Sequence, residues 1–315
     1  MEEIRSNAEV IMAKGSMMIE TFTGMVKDAL SRHMEGCSVE TQETKKNNGV
    51  ILHGICIREQ ESNIAPVIYM EGYFGEYQGG RPFSEIVAAV AENYRESCRI
   101  SGFDIKSITD YERVKEKICF KVVNTDLNRE LLSEVPNVPF CDLSVVFYVL
   151  LDSRQEQGVS FMINNRFMAD WGVDTETLFE RALHNTPRLL KGKVMPMLDI
   201  LSDLLSGEDD GEECPLPDKE SGGMYVATNG IHLNGASVFL YESLLSDFAD
   251  RIGGDFYIIP SSVHELIFLP GDLDMGPEDI REMVSEVNAT CLMPEEVLSD
   301  NVYRFRRETG LVEIA

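Results

Sequence analysis

The sequence is poor in the features that mark exported, membrane-bound or metal-holding chains. Its longest unbroken apolar run, Val145 to Leu151, spans seven residues, against the roughly 20 that a membrane-crossing helix needs. The first residues include Glu2, Glu3 and Arg5 and lack the apolar stretch of a signal peptide, so the expected location is the cytoplasm. Cysteine is scattered as Cys37, Cys56, Cys98, Cys119, Cys141, Cys214 and Cys291, an odd number with no Cys-x-x-Cys spacing. Such cysteines are expected to be small, reduced, mostly buried residues. The five histidines, His33, His53, His184, His232 and His264, show neither His-x-His nor His-Glu-x-x-His spacing. No metal and no cofactor is therefore expected, and Gly-x-Gly-x-x-Gly, Walker-type and Gly-x-Ser-x-Gly segments are missing too.

Positive charge is the other scarcity. Lysine and arginine total 28 against 54 aspartates and glutamates, a net charge of −26. Phosphate-binding surfaces need clustered Lys and Arg, so direct nucleic-acid binding and anionic membranes are not expected. The excess of acid serves solubility, and it also suits a basic protein partner. Mimicry of DNA by rows of carboxylates is a third reading.

What is present is the alternation of a folded α+β chain. At 315 residues the sequence exceeds one comfortable core, and the fold class is read as α/β of the α+β type, two lobes with mainly antiparallel sheets flanked by helices. The expected division is an N-terminal α+β lobe over 1–206, an acidic flexible linker over 207–223, and a C-terminal strand–helix–hairpin–helix lobe over 224–315. The linker reading rests on Glu208, Asp209, Asp210, Glu212, Glu213, Asp218 and Glu220 among prolines and glycines, a composition with too little apolar surface to offset ordering entropy.

Periodicity predicts a helix over Ile11 to Met34 and strands over Val50 to Ile57 and Ala65 to Met70, with His53 read as a satisfied core histidine among isoleucines. Glu71 to Pro82 reads as a Gly- and aromatic-rich loop. A strong amphipathic helix begins at Phe83, and Thr109 with Glu112 reads as a capping box. Strands are predicted over Ile118 to Val123, Phe140 to Leu151 and Gly158 to Ile163. Asp174 caps a helix over Thr175 to Asn185 that Pro187 should break, and another helix should run from Pro196 to Leu205. Met224 to Thr228 reads as a strand and Val238 to Ile252 as a helix. Phe256 to Ile259 and Val263 to Leu269 read as a hairpin turning at Pro260-Ser261-Ser262. Pro277 opens a helix burying Ile280, Met283, Val284 and Val287, and Val302 to Arg306 is an edge strand.

Several segments in order carry a resemblance: Asn47-Asn48-Gly49 followed by Val50-Ile51-Leu52-His53-Gly54, Asn185-Thr186-Pro187-Arg188-Leu189-Leu190, Tyr257 through Glu265, and Pro294 through Asp300. Together they resemble the bacterial domain of unknown function family 5688 from about residue 35 onward, and more distantly family 1444. The resemblance implies a bacterial cytosolic protein and no reaction.

Two groupings carry potential chemistry. Ser261, Ser262, His264 and Glu265 supply a hydroxyl, an imidazole and a carboxylate within five positions, the residue types of a nucleophile, its base and an orienting acid. On a continuous strand Ser262 and His264 share a face while Glu265 points away; Glu242, Asp247 or Asp255 would then have to supply the acid. The bland reading has the serines holding the hairpin turn. Thr186 and Arg188 could receive an anion at a helix break, with Ser261 as a further binding residue, or Arg188 could form an ordinary salt bridge. Asp272-x-Asp274-x-Gly276 lacks the ligands of a calcium loop and reads as a helix entry. With no complete catalytic motif, the leading function is a non-catalytic interaction or regulatory protein binding a protein partner, and the alternative is a hydrolase-like or small-anion-binding protein using Ser262, His264 and Arg188.

Overall fold

The computed structural model describes residues 17–34, 36–59, 67–100, 109–152, 159–200, 223–271 and 276–315. The chain gathers into two compact units, Met1–Lys46 with Val50–Ile108, and Asn47–Gly49 with Thr109–Ala315. Both are built from helices on antiparallel sheets, an α+β class.

In the first unit α1 (Ile19–His33) lies on a sheet of β1 (Cys37–Lys45), β2 (Ile51–Glu59) and β3 (Val67–Tyr69), joined by α2 (Glu71–Gln78) and α3 (Phe83–Ile100). The strands run in the order β1-β2-β3, so β2 is central. Phe22, Val26 and Leu30 recur on one face of α1 and meet Val39, Ile55, Ile57, Ile68, Ile86 and Val90 in a single core, the 3–4 spacing of one element meeting the period of two of the other. Residues 71–78 are helical where a loop was expected. Phe74 and Tyr77 set their rings 5.2 and 5.1 Å from Phe22, and burial of aromatic surface outweighs the roughly 1 kcal/mol that each glycine costs a helix. β1 was not anticipated either. Only Val39 of its nine residues is buried, so pairing with β2 rather than an apolar pattern makes it a strand.

The second unit holds two sheets. One contains β4 (Ile118–Asn124), β5 (Asn137–Phe140), β6 (Leu143–Asp152) and β7 (Val159–Met162), with β6 central. The other has six strands in the order β13-β12-β10-β11-β9-β8: β8 is Gly192–Pro196, β9 Tyr225–Asn229, β10 Phe256–Pro260, β11 Leu266–Pro270, β12 Tyr303–Arg306 and β13 Leu311–Ile314. Around them lie α4 (Tyr111–Val114), α5 (Arg129–Glu134), α6 (Asn165–Trp171), α7 (Thr175–Leu189), α8 (Glu242–Ile252) and α9 (Pro277–Cys291). Phe120, Phe147, Phe239, Phe248, Phe256, Phe268, Tyr303 and Phe305 belong to one continuous core that takes side chains from both sheets. Phe248 of α8 is its hub, with ring centroids 4.8 to 5.2 Å from Phe256, Tyr225 and Phe268.

Several expectations shift here. Pro196 is the last residue of β8, and the expected helix starts just after it, over 197–200; its remainder, 201–205, lies outside the described residues. The acidic segment expected as a linker also lies outside them, except for Gly223, and the strands on either side of it, β8 and β9, are neighbours from Gly192↔Asn229 to Pro196↔Tyr225. Helix α7 continues through Pro187 to Leu189, because its last turn is tied down from outside. The Asn185 amide donates to the carbonyls of Lys115 and Ile118 at 2.8 and 3.1 Å, and the Thr186 hydroxyl accepts from the Phe120 N–H while donating, within the helix, to the Ala182 carbonyl at 2.6 Å. The helix at 111 is capped by Asp110, not Thr109, the carboxylate accepting from the Glu112 N–H. Met283 and Val287 on α9 are each 42% exposed and lie beside the buried stripe of Ile280, Val284 and Asn288. β12 is interior, because β13 pairs along its outer side.

Candidate functional site

The segment from Ser261 to Glu265 is a loop. β11 starts only at Leu266, so Val263, His264 and Glu265 do not alternate along a strand. Its polar groups close the turn on themselves. The N–H groups of Ser261 and Ser262 both donate to the Glu265 carbonyl, at 3.2 and 3.1 Å. The Ser262 hydroxyl, buried, accepts from the His264 main-chain N–H at 3.0 Å, and the Ser261 hydroxyl donates to the Glu265 carboxylate at 3.3 Å.

A second loop, 229–235, locks onto the first. Thr228 Oγ1 donates to the His264 carbonyl at 2.8 Å and the Ala236 N–H to that of Val263 at 3.3 Å. A Cβ on Gly235 would stand 2.0 Å from the His264 carbonyl oxygen, so only glycine admits this approach. His264 Nδ1 lies 3.0 Å from the His232 carbonyl. A carbonyl only accepts, so Nδ1 carries the proton in this contact. The imidazole is thus oriented by main chain, and the Ser262 hydroxyl is held by the His264 N–H, not by its ring.

Thr186 and Arg188 have other uses. Thr186 is wholly buried, and besides donating to Ala182 its hydroxyl accepts from the Phe120 N–H at 3.0 Å, pinning α7 to β4. The Arg188 guanidinium donates to the Glu116 carbonyl at 3.1 Å and lies 3.8 Å from the Glu116 carboxylate. Nearby, burial pushes the Cys119 thiol up to about 12, with a hydrogen bond to Thr186 and the charge of Arg188 opposing it.

The first unit carries a concavity that the sequence did not single out. It measures about 460 Å³, within the range of ligand clefts. Helix α1 lines it with Glu20, Thr23, Gly24, Lys27 and Asp28, β1 with Thr41, Gln42 and Glu43, and β2 with His53 and Gly54. His53 sits at its wall with a side chain 17% exposed. The first residue of α2, Glu71, holds it: Oε1 accepts the His53 main-chain N–H at 2.6 Å and lies 3.2 Å from ring Nδ1. Ring Nε2 is 3.7 Å from Glu20 Oε1. The other Glu71 oxygen is buried and has no hydrogen-bond partner among the described residues. Lys27 lies 3.7 Å from Asp28, and a Cβ on Gly24 would touch nothing within 4 Å, so the helix is bare where it borders the opening. The lining is a hydrogen-bonding surface with a surplus of carboxylate, suited to an ammonium or guanidinium group.

His53 passed as a core residue in the sequence because Ile51, Ile55 and Ile57 share its face, and its partners Glu20 and Glu71 come from other elements. Two carboxylates from separate helices meeting one histidine is a feature of the fold, with no local spacing to announce it.

Comparison with known proteins adds a family. The family model described as "Family of unknown function (DUF5688)" matches residues 19–307, nearly the whole chain. No curated protein and no solved structure matches. Among the described residues no helix is long and apolar enough to cross a membrane.

Proposed function

Since the chain belongs to the DUF5688 family, whose description carries no chemistry, we propose from its own residues that it is a non-catalytic interaction protein that receives a basic group of a protein partner in the cleft around His53. The observation that carries this reading is the convergence of Glu20, Asp28 and Glu43 on one concavity of about 460 Å³. The net charge of −26 adds a long-range attraction for a basic partner. The non-catalytic part is supported by the 261–265 loop, whose serines and histidine serve its own turn.

Magnitudes limit what the cleft does alone. Carboxylates as open to water as Glu20 and Asp28, 54% and 65% exposed, contribute about 0.2–1 kcal/mol each to an ion pair. Three of them hold an isolated cation no more tightly than about millimolar. The partner therefore brings further contacts, and the cleft selects the sign of its charge.

Titrating fluorescent arginine-rich and glutamate-rich peptides of equal length against the full chain tests this. Only the arginine-rich peptide should bind, more weakly at high salt, and Glu20→Lys should weaken it. Equal binding of both peptides, or indifference to Glu20→Lys, removes the cleft from the reading.

A further inference from the structure

Among the described residues β1 has a neighbour on one side only, since the first unit's sheet runs β1-β2-β3. The direction of its main-chain groups follows from two hydrogen bonds. Lys46 N–H donates to the Val50 carbonyl at 2.7 Å. Facing residues of an antiparallel ladder alternate between bonded and non-bonded pairs. Residues 44, 42 and 40 therefore turn their N–H and C=O to β2, and Val39, Thr41 and Glu43 turn theirs outward. β2 agrees: the His53 carbonyl accepts from Met70 N–H at 2.8 Å, on the β3 side, so the Glu43↔His53 pair is a non-bonded one.

Side-chain direction links this edge to the cleft. Val39, Thr41 and Glu43 lie opposite Ile57, Ile55 and His53 and share their face of the sheet, the face on which Val39 packs in the core with α1. Residues Glu40 to Glu43 are all exposed, so the backbone between them is within reach. A strand laid beside β1 would present alternate side chains to that face, next to Thr41 and Glu43.

We propose that β1 is a docking edge on which an extended, basic segment of a protein partner adds as a fourth strand, lowering an arginine or lysine side chain into the cleft of Glu20, Asp28 and Glu43; this rests on the cleft being the binding site. Charge selects the occupant. Exposed edges invite any strand, but a second copy of β1 would bring Glu40 and Glu43 against their own counterparts, whereas alternating basic residues meet acid. Main-chain bonds along the edge supply the affinity that the open carboxylates lack.

The test uses the full chain and a fluorescent peptide of roughly eight residues alternating arginine and threonine, long enough to span most of β1. A second peptide of the same sequence carries N-methyl groups on alternate amides, which removes strand pairing and keeps the charge. The plain peptide should bind about tenfold tighter than the methylated one. Thr41→Pro removes an outward N–H without touching the β1–β2 ladder and should erase that difference. Glu43→Arg, which leaves the backbone unaltered, should weaken the plain peptide by at least about tenfold. Gly24→Phe, which puts a ring into the cleft, should weaken both. Equal binding of the two peptides to the unaltered chain, with Gly24→Phe weakening both, overturns strand addition and leaves the cleft standing. Failure of both peptides to bind overturns strand addition and the cleft together.

Discussion

Glu43 and His53 stand opposite each other in the β1–β2 ladder, and both line the cleft of the first unit. The pair is a non-bonded one, in which side chains approach more closely than in a bonded one, and Glu71 fixes the histidine from behind. An acid on the outer strand thus faces an imidazole on the central strand, and the two side chains share one wall of the concavity.

The locked loops of the second unit predict a steep response at Gly235. Its missing side chain admits the His264 carbonyl and the Thr228 hydroxyl. Gly235→Ala should force the 229–235 and 261–265 loops apart and cost about 2–3 kcal/mol. Denaturant midpoints of the two proteins measure it.

Ser262→Ala strips the His264 N–H of its acceptor, and His264→Ala removes the contact to the His232 carbonyl. Each should lower stability by about 1 kcal/mol. Binding of the arginine peptide, a first-unit property, should be unchanged in both. A loss of that binding without a loss of stability would contradict the assignment of these residues to the turn.

Asp142 gathers three donors. Its carboxylate accepts from the Ser299 hydroxyl at 2.8 Å, the Asn301 amide at 3.0 Å and the Tyr303 hydroxyl at 2.6 Å, and Ser299 and Tyr303 are buried. Asp142→Ala strands all three and should cost about 2–4 kcal/mol, while Tyr303→Phe, removing one donor, should cost about 1–2. Thermal unfolding of the two variants should preserve that order.

Asp255 should contribute to the acid sensitivity of the fold. The Arg307 N–H, then the side chains of Arg306 and Arg304, hold its carboxyl below the usual range. A carboxylate with a depressed folded value contributes stability that is present above its unfolded value, near 3.9, and is lost as pH falls through the folded one. Melting temperatures should therefore fall less between pH 5 and pH 2 (roughly, from that reference value) in Asp255→Asn than in the unaltered chain. Parallel curves would exclude the group.

Cysteine reactivity should divide by burial. Burial holds Cys119 protonated, its value raised to about 12, whereas Cys291 is exposed. Native alkylation at neutral pH followed by mass spectrometry should find Cys291 modified and Cys119 intact until the protein is unfolded.

Which parts of this were legible follows from where the determining contacts lie. The Asp174 cap needs only its own helix, and its carboxylate accepts the Thr177 N–H at 2.8 Å as the spacing predicted. The β10–β11 hairpin announces itself by two apolar runs around a polar reversal, although the reversal extends to Glu265. β1 was invisible because one buried valine in nine residues is no pattern, and α2 because its glycines outvote its aromatics until Phe22 is there to pack on them. The 261–265 grouping drew attention by residue type, and type alone does not say that Ser262 answers to a main-chain N–H. The cleft needed α1, β1 and β2 assembled before its acids could be seen to converge.

The pairing of β8 with β9 has a consequence for the covalent chain. A protease cut anywhere between 197 and 224 would leave the first fragment ending in β8 and the second beginning with β9, joined by a ladder that runs from Gly192 to Pro196 and by the core beneath it. The nicked molecule should then elute as one particle under native conditions and separate into two bands only in detergent, so the pieces could be expressed apart and would find each other by completing a sheet.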